Sequence, residues 1–313
     1  MDKNAKIYVA GHRGMVGSAI LRKLNEQGYT NIAVRKSTEL DLRSQLDTEI
    51  FFRDEKPEYV FVAAAVVGGI LANMQGHSRF LLENMQIACN IIDSAYRHGV
   101  KKLLFLGSSC IYPKDAKQPI SESALLTGQL EPTNEGYAIA KISGLKLCEY
   151  YNRYYGAGFI SVMPCNLYGY NDNFDLKTSH MLPALIRKFH EAKINKSDAV
   201  TVWGTGKPFR ELLFANDLAE ACVFLMNCYF GADFLNVGYG EDFAISDIAQ
   251  MIKEIVGYEG NISFDTSKPD GMFRKLMDSG KIRSLGWRPK YTLFEGIRLT
   301  YEWYAKNVKE LSK

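Results

Sequence analysis

A short apolar run, Ile7–Ala10, passes straight into Gly11-His12-Arg13-Gly14-Met15-Val16-Gly17, three glycines spaced by three that open a segment of helical period. Few folds use that order. Glycine permits a tight turn at the first point, close approach of backbone to a diphosphate at the second and close helix-on-strand packing at the third, while the helix N-terminus offers unpaired N–H groups. The run therefore predicts a dinucleotide site at the first strand–helix turn.

The same rhythm continues along the chain. Helical periods at 16–26, 45–52, 80–96 and 137–155 follow apolar runs at 7–10, 32–34, 59–63 and 103–106, and a fifth run lies at 159–163. This alternation predicts an α/β fold, a Rossmann-type doubly wound parallel sheet with helices on both faces and right-handed crossovers. Its strands are nearly all apolar, as required when both faces are covered. After Pro164 the rhythm loosens: a Gly/Asn/Asp-rich stretch at 168–175, a helix at 180–193, a strand at 200–202, a helix at 216–228, a strand at 234–237, a helix at 246–256, a Pro-Asp-Gly turn at 269–271 and an amphipathic helix at 293–306. The expected division is a cofactor domain of 1–165, with 213–237 returning to it, and a smaller C-terminal α/β substrate domain of 166–212 and 238–313.

Composition narrows the partners. With 38 basic and 35 acidic side chains the net charge is only +3, too little for a sequence-independent grip on nucleic acid. The longest apolar stretches, 60–67 and 70–72, fall far short of the about 20 residues that cross a bilayer. The opening Met-Asp-Lys-Asn-Ala-Lys has no apolar core of a secretion signal, so the expectation is a cytoplasmic protein without membrane attachment. Six scattered cysteines show neither paired nor zinc-like spacing, which predicts no disulfide and no metal. Five of them are expected to be buried thiols, with Cys110 set apart.

The second strand ends in Val34-Arg35-Lys36-Ser37 where an acid would bind a ribose 2′-hydroxyl. A basic end suits a 2′-phosphate and so NADP(H), with Arg13 as a second guanidinium; Asp41 and Leu42 are expected beside the adenine. Tyr137 and Lys141 stand four apart on a predicted helix, hence on one face, where an ammonium would lower the phenol's pKa toward the working range. The pair follows a fourth strand ending in Gly107-Ser108-Ser109-Cys110, at the carboxyl edge where open α/β sheets bind ligands, so Ser108 can hydrogen-bond the substrate oxygen that Tyr137 protonates.

These features resemble the extended short-chain dehydrogenase/reductase superfamily. The strings Val67-Gly-Gly-Ile70, Gly107-Ser-Ser-Cys-Ile-Tyr-Pro113, Glu131-Pro-Thr-Asn-Glu135, Asn166-Leu-Tyr-Gly169, Asn171-Asp-Asn-Phe174, Ser179-His180 and Val202-Trp-Gly-Thr-Gly-Lys-Pro208 are similar to the GDP-L-fucose synthase family over essentially the whole chain. The resemblance implies a reductase triad of Ser108, Tyr137 and Lys141, reduction of the C4 ketone of a GDP-4-keto-6-deoxy sugar by NADPH, and a Cys110–His180 acid/base pair that epimerises C3 and C5. Without the resemblance Cys110 reads as a small strand-end hydrophobe and His180 as a polar residue at a helix start. It further implies cofactor contacts at Ala64, Leu106, Gly107, Pro164, Asn166, Leu167 and His180, and substrate contacts at Ser108, Ser109, Cys110, Asn166, Lys188, Trp203, Arg210 and Asp270.

The chain departs from the family at Val66, where Lys is common, at Gly136 and Tyr170, where Pro is common, and at Ser37, where an arginine occurs. Val66 falls near the sugar by this mapping, which keeps open a GDP-4-keto-heptose C4 reductase of capsule heptose synthesis that does not epimerise. A non-catalytic NADP-sensing module is the alternative of another class. The superfamily also implies a homodimer through the helices at 80–96 and 137–155, with Ile87, Ile91, Leu145 and Leu147 expected in the seam.

Overall fold

The computed structural model describes residues 1–268 and 270–311. Pro269, the first residue of the expected 269–271 turn, lies outside them. The first half alternates as expected: β1 (Ile7–Ala10), α1 (Met15–Glu26), β2 (Ile32–Ala33), α2 (Gln45–Glu55), β3 (Tyr59–Val62), α3 (Ile70–Gln75), α4 (His77–Arg97), β4 (Lys102–Leu106), α5 (Glu135–Tyr155) and β5 (Phe159–Pro164). A short β6 (Asn166–Tyr168), α6 (Met181–Asn195), β7 (Ala199–Trp203), β8 (Phe209–Phe214), α7 (Ala215–Cys228) and β9 (Leu235–Val237) follow. The chain ends with β10 (Asp242–Ala244), α8 (Ile245–Val256), β11 (Asn261–Asp265), α9 (Gly280–Ser284) and α10 (Leu293–Leu311).

The main sheet has the order β2-β1-β3-β4-β5-β9, parallel throughout. Chain direction across the sheet reverses between β1 and β3, and the loops leaving the carboxyl ends of these strands open the crevice where doubly wound sheets take their ligands. Ile7, Val9, Phe61, Leu104 and Ile160 pack on one face of the sheet and Tyr8, Val60, Leu103 and Phe159 on the other, so β1, β3, β4 and β5 are covered on both faces.

A second core covers the C-terminal half. Leu182, Ile186 and Phe189 of α6, Ile248 and Ile252 of α8 and Ile297 and Tyr304 of α10 close on the three-stranded sheet β10-β8-β6 and the β11-β7 pair. The chain returns from this half to the first more than once. The helix α7 packs on α1, β9 completes the main sheet, and Met277, Ile282 and Trp287, all beyond residue 238, join the first core.

Two expectations are corrected. Cys89 and Cys228 are exposed, so three of the five thiols expected to be buried are so, Cys148, Cys165 and Cys222, and Cys110 is buried as well. Ile87, Ile91 and Leu145 are buried within the single chain, and Leu147 packs against the core that holds Ile87 and Ile91. They serve the cores of the single chain, leaving Leu82, Tyr96, Ile139, Tyr150, Tyr154 and Tyr155 as the exposed large apolar residues of these helices. No helix among the described residues is long and apolar enough to cross a membrane.

Candidate active site

The glycine turn is built as its spacing demands. Gly11 adopts φ +81°, a region open mainly to glycine, and a Cβ at Gly17 would stand 2.1 Å from the Gly11 carbonyl oxygen. A Cβ at Gly11 would meet Ala63 and Ala64 at 2.8 Å, so the turn after β1 lies directly against the loop after β3, with Ala64 at the crevice. The His12 Nδ1 is buried with no hydrogen-bond partner among the described residues. Burial, followed by the Arg13 charge, pushes its pKa down. This cradle, with a buried polar atom awaiting a partner beside a helix N-terminus, fits the diphosphate of a dinucleotide.

A cleft of about 410 Å³ continues from the turn, lined by His12, Val34, Arg35, Lys36 and Glu39. Its basic end is only partly free. The Arg35 guanidinium pairs with Glu55 of α2 and donates to its own neighbour's Val34 carbonyl at 2.8 Å. Lys36 donates its backbone N–H to Glu39 at 2.7 Å, leaving its side chain exposed, and Arg13 is also exposed. Asp41 holds Arg43 through both carboxylate oxygens at 2.9 Å, and this guanidinium keeps its carboxyl below the usual range. An adenine amine would therefore share Asp41 with Arg43. Leu42 is partly buried against the core of the second face.

At the end of β4, Ser108 caps a single 3₁₀ turn, Ser109–Ile111, its Oγ accepting from the Cys110 N–H at 3.3 Å. Lys141 on α5 is buried and donates to the Leu106 carbonyl at 2.7 Å, with its ammonium 5.6 Å from the centre of the Tyr137 ring. The helix lies close to its surroundings, since a Cβ at Gly136 would come within 2.6 Å of the His77 carbonyl oxygen. Ser108, Cys110, Tyr137 and Lys141 are thus brought to one edge.

The electrostatics differ from the expectation. Burial pushes the Tyr137 phenol up rather than down, and Cys110 adds to the rise. Lys141 is itself desolvated, its pKa pushed down to about 8, and its proton is directed at a carbonyl, so it does little to stabilise a phenolate. Burial likewise raises the Cys110 thiol, opposed by Lys275 first and then by Ser108 and Lys141. His180 is exposed at the N-cap of α6, where the surrounding protein disfavours the imidazolium. The loop after β3 approaches this cap, as a Cβ at Gly69 would stand 2.9 Å from the Thr178 carbonyl.

Most of the remaining implied contacts lie in the C-terminal half. Asn166 donates to the Glu211 carbonyl at 3.2 Å across the β6–β8 pair, with Leu167 next to it on β6 and Pro164 at the end of β5 in the main sheet. Arg210, on the same strand as Glu211, is lowered in pKa by burial, with Asp270 opposing. Trp203 is 60% exposed, a flat apolar wall with the ammonium groups of Lys188 at 5.6 Å and Lys268 at 5.7 Å from its ring centre. Asp270 accepts from the Thr205 N–H at 2.6 Å and hydroxyl at 2.8 Å, fixing the Gly204–Gly206 turn. Lys188 donates to the Thr201 carbonyl at 3.0 Å. Sequence reasoning missed Lys275, Lys268 and the wholly buried Glu211. No local spacing marks them, because each reaches the site through a contact distant in sequence.

An arrangement of this kind, a phenol kept protonated beside a buried lysine and a thiol at the same strand end, can transfer protons to and from a carbonyl and its flanking carbons. The NAD dependent epimerase/dehydratase family matches residues 7–238. GDP-L-fucose synthase 1 of Arabidopsis thaliana is 60% identical over 98% of this chain and 95% of its own length, and GDP-L-fucose synthase of Escherichia coli K12 is 49% identical over 96% and 97%. Among solved structures, a GDP-mannoheptose C4 reductase from Campylobacter jejuni with NADP bound superposes with a TM-score of 0.89 at 40% identity, covering 97% of this chain and 99% of that one. Likeness of this depth, running from the glycine turn through the Tyr137 helix to the sugar-side core, means that the chain belongs to the GDP-L-fucose synthase family of NAD dependent epimerase/dehydratase enzymes.

Proposed function

We propose that the chain is a cytoplasmic, homodimeric NADPH-dependent enzyme that epimerises C3 and C5 of a GDP-4-keto-6-deoxy sugar and reduces its C4 ketone. The observation that carries this reading is the convergence of Ser108, Cys110, Tyr137 and a buried Lys141 at the end of β4, in a chain 60% identical to a GDP-L-fucose synthase. Residues 11–17 would hold the cofactor diphosphate, Arg13, Arg35 and Lys36 its 2′-phosphate, and Lys141 its nicotinamide ribose. When bound, the reduced nicotinamide supplies a hydride to the ketone carbon.

The protein's own groups do the rest. The 4-keto group acidifies the protons on both flanking carbons; Cys110 removes a proton from one face and His180 returns one to the other. Ser108 orients the ketone oxygen and Tyr137 protonates it. A phenol held protonated by burial is in the correct state for that donation. Arg210 and Lys188 suit a diphosphate and Trp203 the flat face of a guanine or ribose. The two hydrophobic cores support a cofactor half and a sugar half, with the returning segments belonging to the first. Exposed apolar residues on α4 and α5 suit the two-fold contact.

A second reading is reduction of a GDP-4-keto heptose without epimerisation, favoured by Val66 in place of a lysine and by the likeness to the Campylobacter reductase. NADPH oxidation assayed with GDP-4-keto-6-deoxymannose and with GDP-4-keto heptoses, with product stereochemistry by NMR, separates them. Turnover of a heptose alone, without inversion, would overturn the main reading.

A further inference from the structure

The turn that carries Cys110 is held at both ends, by different parts of the fold. At its start β4 holds it: Lys141 donates to the Leu106 carbonyl at 2.7 Å, the Gly107 N–H donates to the Val162 carbonyl at 2.9 Å, and the Ser108 Oγ accepts from the Cys110 N–H at 3.3 Å. At its far end stands Tyr112, buried in the first core, whose hydroxyl donates to the Asn236 Oδ1 at 2.5 Å. Asn236 lies on β9, 124 residues further along the chain. Cys110 sits between these two anchors.

Asn236 is wholly buried and its amide has one possible orientation. The Nδ2 donates to the Ile120 carbonyl at 2.9 Å and to the Asp278 carbonyl at 3.1 Å, so turning the amide over would set its oxygen against two carbonyls. Its backbone N–H donates to the buried Glu122 carboxylate at 3.0 Å, which fixes the strand at the same point. The Oδ1 is therefore aimed at Tyr112. A phenylalanine ring would fill the same space in the core, so what the Tyr112 oxygen adds is this bond.

We propose that Tyr112 is a positioning residue for Cys110, its bond to Asn236 fixing the far end of the turn so that the thiol stands where proton transfer at C3 and C5 requires it. This rests on the reading of Cys110 as the epimerisation base. Ser108 and Tyr137, which serve the ketone, are held from β4 and α5 instead. Loss of the Tyr112 bond therefore displaces the thiol more than it displaces them. Proton transfer is sensitive to such a shift, since a misplacement of about 1 Å can cost about 10²-fold in rate.

The test gives the full chain, Tyr112→Phe, Asn236→Ala and the double variant GDP-4-keto-6-deoxymannose and NADPH in deuterium oxide. NMR then reads deuterium entry at C3 and C5 and the ratio of epimerised to unepimerised alcohol. Tyr112→Phe should slow deuterium entry roughly tenfold or more and NADPH oxidation by less, so that the ratio falls. A purely structural role would lower both rates together with the folded fraction and leave the ratio unmoved, and that result overturns the proposal. The ratio counts folded molecules alone, so it stays readable where a variant folds only in part. Because the two residues act through one bond, Tyr112→Phe should change deuterium entry by less than about twofold in a chain already carrying Asn236→Ala, and multiplying losses would overturn the proposal as well. Failure of Cys110 as the base would show instead as unchanged deuterium entry in Cys110→Ser, whereas failure of Tyr112 leaves exchange abolished in Cys110→Ser and normal in Tyr112→Phe.

Discussion

The Lys141 ammonium donates to the Leu106 carbonyl oxygen at 2.7 Å, joining α5 to the carboxyl end of β4 and fixing the Tyr137 face of the helix over the strand that carries Ser108. Tyr137→Phe removes the proton donor without touching this joint. Reduction should fall by about 10²–10⁴ in rate while NADPH affinity, measured by fluorescence titration, stays within a few fold. Near-normal turnover would move the donor elsewhere.

Cys110 and His180 separate the two halves of the chemistry. Cys110→Ser should stop solvent deuterium entering C3 and C5 while slow NADPH oxidation to an unepimerised alcohol continues, and His180→Gln should trap exchange at one carbon. Proton NMR of substrate recovered from deuterium oxide reads both. Unchanged exchange in Cys110→Ser would sink the assignment.

Because Glu55 already engages Arg35, the exposed Arg13 and Lys36 have the freer charges at the basic end of the cleft. NADPH should be preferred over NADH by roughly tenfold or more in kcat/KM, since a charge-assisted hydrogen bond contributes about 1.5–3 kcal/mol. Lys36→Ala should narrow the preference, and equal use of both cofactors by the unaltered chain would contradict it.

Glu211 is wholly buried, and burial pushes its carboxyl up to about 7 although it accepts from the Gly240 and Met277 N–H groups. The fold thus favours the protonated form. Its contribution is full below the ordinary carboxylate range and is lost as pH rises through about 7. Glu211→Gln should flatten this slope, the two stability curves from urea unfolding differing by about 3 kcal/mol more at one end of the range than at the other. Parallel curves would show that Glu211 ionises normally.

Leu82 on α4 and Tyr154 on α5 are 59% and 69% exposed, apolar surface that a two-fold contact would cover. Light scattering should find a dimer at micromolar concentration, and Leu82→Glu with Tyr154→Glu should yield a monomer whose circular dichroism is unchanged. A dimer that survives both changes would place the contact on another face.

The main sheet was legible because doubly covered strands such as Val60 to Val62 are apolar at every position, a signal that needs no partner to be read. The three-residue β6 is too short to show a pattern, and β11, Asn261–Asp265, is a largely polar strand paired only with β7. β8 was missed because Arg210 and Glu211 interrupt its apolar run, although both are retained for contacts made across the fold. Tyr137 and Lys141 could be found from their spacing on one helix. Glu211 could not, since the Met277 N–H that its buried carboxylate accepts lies 66 residues away.

The return of β9 to the edge of the main sheet, together with the docking of Ile282 and Trp287 beneath it, bears on how new sugar specificities can arise. A crossover that joined one parent up to Pro164 to another beyond it would leave β5 to pair with a foreign strand and fill the first core with foreign side chains. Such a chimera should fold poorly even between active parents. Change of substrate in this lineage is therefore easier by substitution within the sugar-side loops than by exchange of whole segments, and the laboratory engineer faces the same constraint.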